Sequence, residues 1–99
     1  MALAAKGTEQ ISSAVVVGLT AAKYKVAGVQ QAVIQVDPTS PSIRHSCSVT
    51  PVAGGADGSI LVYPGGIIRV IGFDDLNTIQ FVPTTGTMLL NAEYYGSGQ

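Results

Sequence analysis

Side chains of opposite character alternate at every second position in three stretches of this chain. Ala32, Ile34 and Val36 fall on one face, with Gln31, Val33 and Gln35 on the other. Ile43, His45, Cys47 and Val49 alternate with Arg44, Ser46 and Ser48. Leu90, Ala92 and Tyr94 share a face opposite Leu89, Asn91, Glu93 and Tyr95. A period of two belongs to a half-buried strand, whereas an amphipathic helix repeats every three to four residues. Composition points the same way: 12 Val, 8 Ile and 8 Thr make over a quarter of the 99 residues β-branched. Such side chains lose χ1 freedom in a helix and pack well on a pleated surface.

The punctuation between these stretches is turn chemistry. Asp37-Pro38-Thr39-Ser40-Pro41-Ser42, Pro64-Gly65-Gly66, Gly72-Phe73-Asp74-Asp75 and Pro83-Thr84-Thr85-Gly86 separate candidate strands over 31–36, 43–49, 60–63, 67–71, 77–82 and 87–95. Residues 14–19 read as one further strand, and residues 20–26 lean to strand rather than to a helical turn. Ala53-Gly54-Gly55-Ala56-Asp57-Gly58 has almost no side chain to pack and reads as a surface loop, free to move. The expected fold class is all-β: a single antiparallel β-sandwich or partly closed barrel of six or seven short strands. Residues 1–10, small and with one Lys, read as a flexible N-terminal arm on a single β domain spanning 11–99.

Charge and cysteine content narrow the function classes. Charged residues are 11% against about 25% in an average soluble domain, and the formal net charge is -1 with no basic block. Neither a nucleic acid nor an acidic membrane is therefore an expected partner. No apolar run approaches the roughly 20 residues of a membrane span, and the start lacks a long apolar signal core, so a soluble, unprocessed chain is expected. The single Cys47 cannot form an internal disulfide, which fits synthesis in a reducing cytoplasm.

No catalytic or metal constellation emerges. His45 and Cys47 lie two apart on one strand face, about 7 Å between side chains at a rise of ~3.3 Å per residue, too far for a nucleophile and its base. As zinc ligands they would need two more from a chain with no other Cys or His. Asp74 and Asp75 are adjacent in a turn and do not face each other as a glycosidase pair must. Gly54-Gly55-Ala56-Asp57-Gly58 is one copy of what calcium-binding glycine repeats stack in series. Gly65-Gly66 precedes no helix and is no phosphate cradle. No cofactor and no metal are expected. Of the six aromatics, Phe81 and Tyr94 are expected in the core, and Tyr63 and Tyr95 facing out or into another subunit. A small domain with so few charges should expose apolar patches that mark contacts with other chains. Leu3, Lys6, Tyr63, Ile67 and Tyr95 are the candidate interface residues.

Several of these segments resemble, in order, those of small β-rich structural proteins of tailed bacteriophage virions. The likeness runs from Gln31 to Tyr95: a strand like Ala32 to Val36, the Ile43-Arg44 step and the turn-rich Thr50-Pro51-Val52-Ala53-Gly54-Gly55. It continues with Tyr63-Pro64-Gly65-Gly66-Ile67, the link Asp74-Asp75-Leu76-Asn77, the strand Ile79-Gln80-Phe81-Val82, and a last strand from Gly86-Thr87 to the paired Tyr94-Tyr95. The resemblance implies a non-enzymatic virion protein, made in the host cytoplasm and assembled in many copies. The expected role is a capsid decoration or cement protein on the outer head surface, with the major capsid protein or other virion proteins as partners. A homo-oligomer is expected, as a trimer about a threefold axis, with the arm ordering against a neighbour. The alternatives are a head-to-tail connector or tail component, and a carbohydrate-binding module stacking sugars on Tyr24, Tyr63 or Tyr95. A small hydrolase using His45 with Asp74 or Asp75 ranks last.

Overall fold

A computed structural model describes residues 3–26 and 28–97. Its eight strands are β1 (Leu3–Ser13), β2 (Val17–Gly18), β3 (Val29–Val36), β4 (Ile43–Ser46), β5 (Ile60–Val62), β6 (Ile67–Ile71), β7 (Gln80–Pro83) and β8 (Met88–Ser97). Two short helices, α1 (Ala21–Tyr24) and α2 (Phe73–Thr78), interrupt them. The strands form two antiparallel four-stranded sheets, ordered β1-β8-β3-β6 and β2-β7-β4-β5, and no closed barrel.

That order has a simple origin. β1 pairs with β8, β2 with β7, β3 with β6 and β4 with β5, so the chain is one long antiparallel hairpin doubled back at the β4–β5 connection. Rolling this ribbon adds two further ladders, β3 with β8 and β4 with β7, and splits it into two facing sheets. The result is the eight-stranded jelly-roll arrangement of a β-sandwich. The strand count exceeds the expected six or seven because of β1, and the partly closed barrel is not formed.

The core lies between the sheets. Ala32, Ile34, Val36, Leu90, Ala92 and Tyr94 from the long sheet meet Ile43 and Phe81 from the short one, as the alternation requires. Tyr94 and Phe81 are fully buried, whereas Tyr63 is 67% exposed.

Five sequence expectations need correction, the first being the strand over 77–82, which begins only at Gln80 because Asn77 and Thr78 end α2. The segment expected as an arm is strand β1, paired with β8 from Leu3↔Ser97 to Ser13↔Met88; Met1 and Ala2 lie outside the described residues. Residues 14–19 contribute only the two-residue β2, because the Ser13 hydroxyl donates to the Val15 carbonyl (2.8 Å) and accepts its N–H (3.1 Å), turning the chain. Residues 20–26 contain the helix α1 rather than a strand, its Tyr24 buried at the end of the sandwich. β4 stops at Ser46, whose hydroxyl accepts the N–H groups of Ser48 (3.1 Å) and Val49 (3.2 Å), so Cys47 and Val49 leave the strand face and are exposed.

The two helices close one end of the sandwich. Gly72, at φ 92°, makes the sharp entry into α2 that other residues rarely adopt, and Asp74 and Asp75 form its first turn, where carboxylates suit the helix N-terminus. Tyr24 joins the helices, its hydroxyl donating to Asn77 Oδ1 at 2.9 Å and its ring 6.0 Å from that of Phe73.

Candidate interaction surface

Where the expected interface residues lie follows from the register of the long sheet. Residues with buried neighbours on either side point outward, and pairing aligns them in rows across β1, β8, β3 and β6. One row is Ala5–Tyr95–Gln31–Ile71, the next Thr8–Glu93–Val33–Arg69, and the third Gln10–Asn91–Gln35–Ile67. Tyr95 and Ile67 therefore share the outer face but sit two rows apart. Leu3, 42% exposed, lies beyond Ala5 on β1, and Lys6 is the extra residue of a bulge between Ala5 and Gly7. Tyr63 stands off the sheet, in the turn to β6. The structure thus divides the five: Leu3, Lys6 and Tyr95 near one corner, Tyr63 and Ile67 at the opposite one.

Tyr95 is half-buried rather than a free platform. Its hydroxyl donates to Glu93 Oε1 at 2.5 Å, and this carboxylate raises the phenol above its ordinary pKa. The residues that sequence reasoning missed cluster with Tyr63 and Ile67. Ile60 on β5 (60% exposed), Ile71 on β6 (64%) and Phe73 opening α2 (49%) extend the exposed apolar set along a continuous part of the chain, residues 60–73. β5 and β6 are consecutive in sequence and end the two sheets, so these side chains mark one margin of the sandwich. The signal was the spacing of large apolar residues, but only the strand order shows that β5 and β6 are edges.

A second feature occupies the middle of the outer face. The Gln10 amide donates to Asn91 Oδ1 (2.9 Å), and the Asn91 amide donates to Gln35 Oε1 (3.2 Å) and Asp37 Oδ2 (3.0 Å). Asp37 also accepts from the Thr39 hydroxyl (2.6 Å) and N–H (2.9 Å); these bonds, Thr39's first, hold its carboxyl below the usual carboxylate range. The ladder lies in an open groove of about 480 Å³ lined by Thr8, Gln10, Val33, Gln35, Asn91 and Glu93. Amides, a hydroxyl and the acidic residues Glu9 and Glu93 over a short aliphatic floor suit a hydroxyl-rich ligand better than an anion.

Neither the His45 nor the Cys47 geometry supports catalysis. The half-buried His45 ring lies 6.3 Å from that of Phe81, and burial lowers its pKa, the reverse of what a carboxylate partner such as Asp74 or Asp75 would do. The Cys47 thiol is pushed up, first by desolvation and then by the charge of Asp75, so it is no activated thiolate. Among the described residues, no three His, Cys, Asp or Glu side chains gather as a metal site, and no helix is long and apolar enough to cross a membrane.

The loop over 53–58 is tied to β4 by a side chain. Arg44 Nε donates to the Ala53 carbonyl (3.2 Å) and Nη1 to that of Ser59 (2.9 Å), while Asp57 Oδ1 accepts the Ser59 N–H (3.1 Å). Gly55, at φ 73°, lies so close to the guanidinium that a Cβ there would fall 2.3 Å from Arg44 Cζ. Comparisons with protein families, with curated proteins and with solved structures found no match to this chain.

Proposed function

We propose that this chain is a non-enzymatic structural protein of a tailed bacteriophage particle, a capsid decoration or cement protein that binds the outer head surface. Its work is adhesion: a module that binds only the assembled shell stabilises that shell by mass action. The observation that carries this reading is the collection of exposed large apolar side chains, Ile60, Tyr63, Ile67, Ile71 and Phe73, along the β5–β6 margin. Exposed apolar groups gathered this way are characteristic of contact surfaces. The jelly-roll strand order, which recurs in viral capsid and lectin domains, adds support by analogy of fold alone. Association of copies as a trimer belongs to the same proposal. Ordering of residues 3–10 against a neighbour no longer does, because β1 is already paired within its own chain.

The test is to count this chain against the major shell protein in purified particles of the encoding phage by quantitative mass spectrometry. Decoration predicts a number equal to the shell protein's or a simple fraction of it. A handful of copies would place the chain at the neck or tail, and absence from particles would overturn the structural reading.

A second reading has its own observation in the amide-lined groove: carbohydrate binding by hydrogen bonds to the outer face of the long sheet. Tyr24 is set aside, since it is buried between the helices. A glycan array probed with the purified protein would support this reading by a hit that Gln35→Ala abolishes, and silence across the array would remove it.

A further inference from the structure

We infer that β6 is an acceptor edge for one more β-strand, supplied by another protein, with an acidic side chain opposite Arg69 and β-branched or aromatic side chains two residues to either side. The inference goes beyond the proposed role, since it holds wherever the partner is found.

Hydrogen-bond parity opens the edge. Beyond the two ends of the β3–β6 ladder, Val36 N–H donates to Gly66 O (2.9 Å) and Gly72 N–H to Gln30 O (2.7 Å). Bonded pairs recur at every second residue of an antiparallel ladder, so Ile34↔Ile68 and Ala32↔Val70 are the bonded pairs between those ends. Ile67, Arg69 and Ile71 occupy the alternate positions, and their N–H and C=O groups point away from β3, out of the sheet. Their side chains share the exposed outer face. A strand laid against β6 would find three residues of open backbone under a row of two isoleucines and one arginine.

The other margins are less suited to such an addition. β1 carries the Lys6 bulge, which breaks the regular spacing an incoming strand needs. β2 has two residues and β5 three. β6 is a regular run of five with no proline, no bulge and four β-branched residues, whereas the regular part of β1 beyond its bulge, residues 7–13, turns Thr8, Gln10 and Ser12 outward and offers an incoming strand no large apolar side chain.

Charge selects the occupant. A second copy docking through its own β6 about a twofold axis would place Arg69 opposite Arg69, and like charges facing each other across a ladder are destabilising. Sliding the copies by two residues relieves this only by shortening the contact and setting arginine against isoleucine. A foreign strand with Glu or Asp at the central position satisfies Arg69 and packs both isoleucines, which is the strand-addition mode of peptide recognition.

The experiment uses two blocked ten-residue peptides of alternating Val and Thr, one with a central Glu and one with a central Lys, titrated into the ¹⁵N-labelled full chain. The Glu peptide should shift and protect the amides of Ile67, Arg69 and Ile71 and bind about five- to tenfold more tightly than the Lys peptide. Arg69→Glu, on an exposed side chain, should reverse that order. Arg69→Pro removes the guanidinium and, from the backbone, only an outward-pointing N–H, at a position where an edge strand tolerates proline, and should abolish binding of both peptides while the rest of the spectrum keeps its dispersion. Binding without charge preference, shifts confined to another strand, no binding, or self-association through β6 in place of peptide binding would each overturn the inference.

Discussion

The two sheets of this sandwich are built by different means. The long sheet has strands of 11, 10, 8 and 5 residues, joined by ladders that run most of their length. The short sheet has strands of 2, 4, 4 and 3 residues and, between β4 and β5, a loop from Cys47 to Ser59. Backbone pairing gives the first its order. The second is held by side chains: Phe81 buried beneath it, Arg44 reaching back to the loop carbonyls, and Thr84, whose N–H (3.0 Å) and hydroxyl (2.9 Å) both donate to the Ser42 carbonyl. The difference teaches where each half can be broken. Polar side chains on the outer face of the long sheet should be dispensable for folding, whereas single side chains on the short sheet should not.

The largest expected effect is on the short sheet. Phe81→Ala empties a site that is 0% exposed and should cost about 3–5 kcal/mol in denaturant unfolding. Next comes a place where the backbone of the long sheet is tightly packed. A Cβ on Gly96 would lie 2.0 Å from the Gly28 carbonyl oxygen and 3.0 Å from Val29 Cα, both backbone, so Gly96→Ala should cost about 1–3 kcal/mol through forced backbone shifts. Gly7→Ala, with nothing within 4 Å of the new methyl, is the matched control and should be close to neutral. Arg44→Ala should cost about 1–2 kcal/mol and speed amide exchange across 53–59, sharpening the contrast with the long sheet. Asn91→Ala, which dismantles the amide ladder on the outer face, should stay below about 1 kcal/mol. It should also let the Asp37 carboxyl rise toward its ordinary pKa, as a carbon-detected NMR titration would show. Equal costs for Arg44→Ala and Asn91→Ala would erase the distinction between the sheets.

The smallest effect is a pH dependence. Burial depresses the His45 pKa, so the unfolded chain binds this proton more readily than the folded one. The stability that a neutral His45 contributes is present above its unfolded pKa and is lost as pH falls through the lowered folded value. The unfolding midpoint should therefore fall slightly between pH 7.5 and 5.5, and His45→Gln should remove that part of the slope.

What the sequence made legible was whatever the chain decides locally. The alternation in β3 and β8 and the burial of Phe81 and Tyr94 could be read from residue type and spacing alone. β1 could not, because its inward positions are Ala4, Gly7, Glu9 and Ile11, of which only the last is large and apolar. That segment is a strand because β8 lies beside it and because Glu9 is held inside. There the carboxylate accepts from the Tyr94 hydroxyl and, at 2.5 Å, from that of Thr20, and burial followed by this carboxylate lifts the Tyr94 phenol well above its usual range. The tie between Arg44 and the 53–59 loop was not legible either, because nothing in the loop's own residues points to it. The candidate surface was half legible. Tyr63 and Ile67 stood out as large apolar residues near turns, whereas Ile60, Ile71 and Phe73 gained meaning only once β5 and β6 were known to end their sheets.

The open β6 edge is the most direct claim about how this chain meets a partner, and amide hydrogen exchange of the free protein reads it directly. The parity of the β3–β6 ladder predicts an alternation along a single strand. The amides of Ile68 and Val70 should be strongly protected, and those of Ile67, Arg69 and Ile71 should exchange at least tenfold faster. Uniform protection of all five would mean that the edge is already covered and would contradict the account.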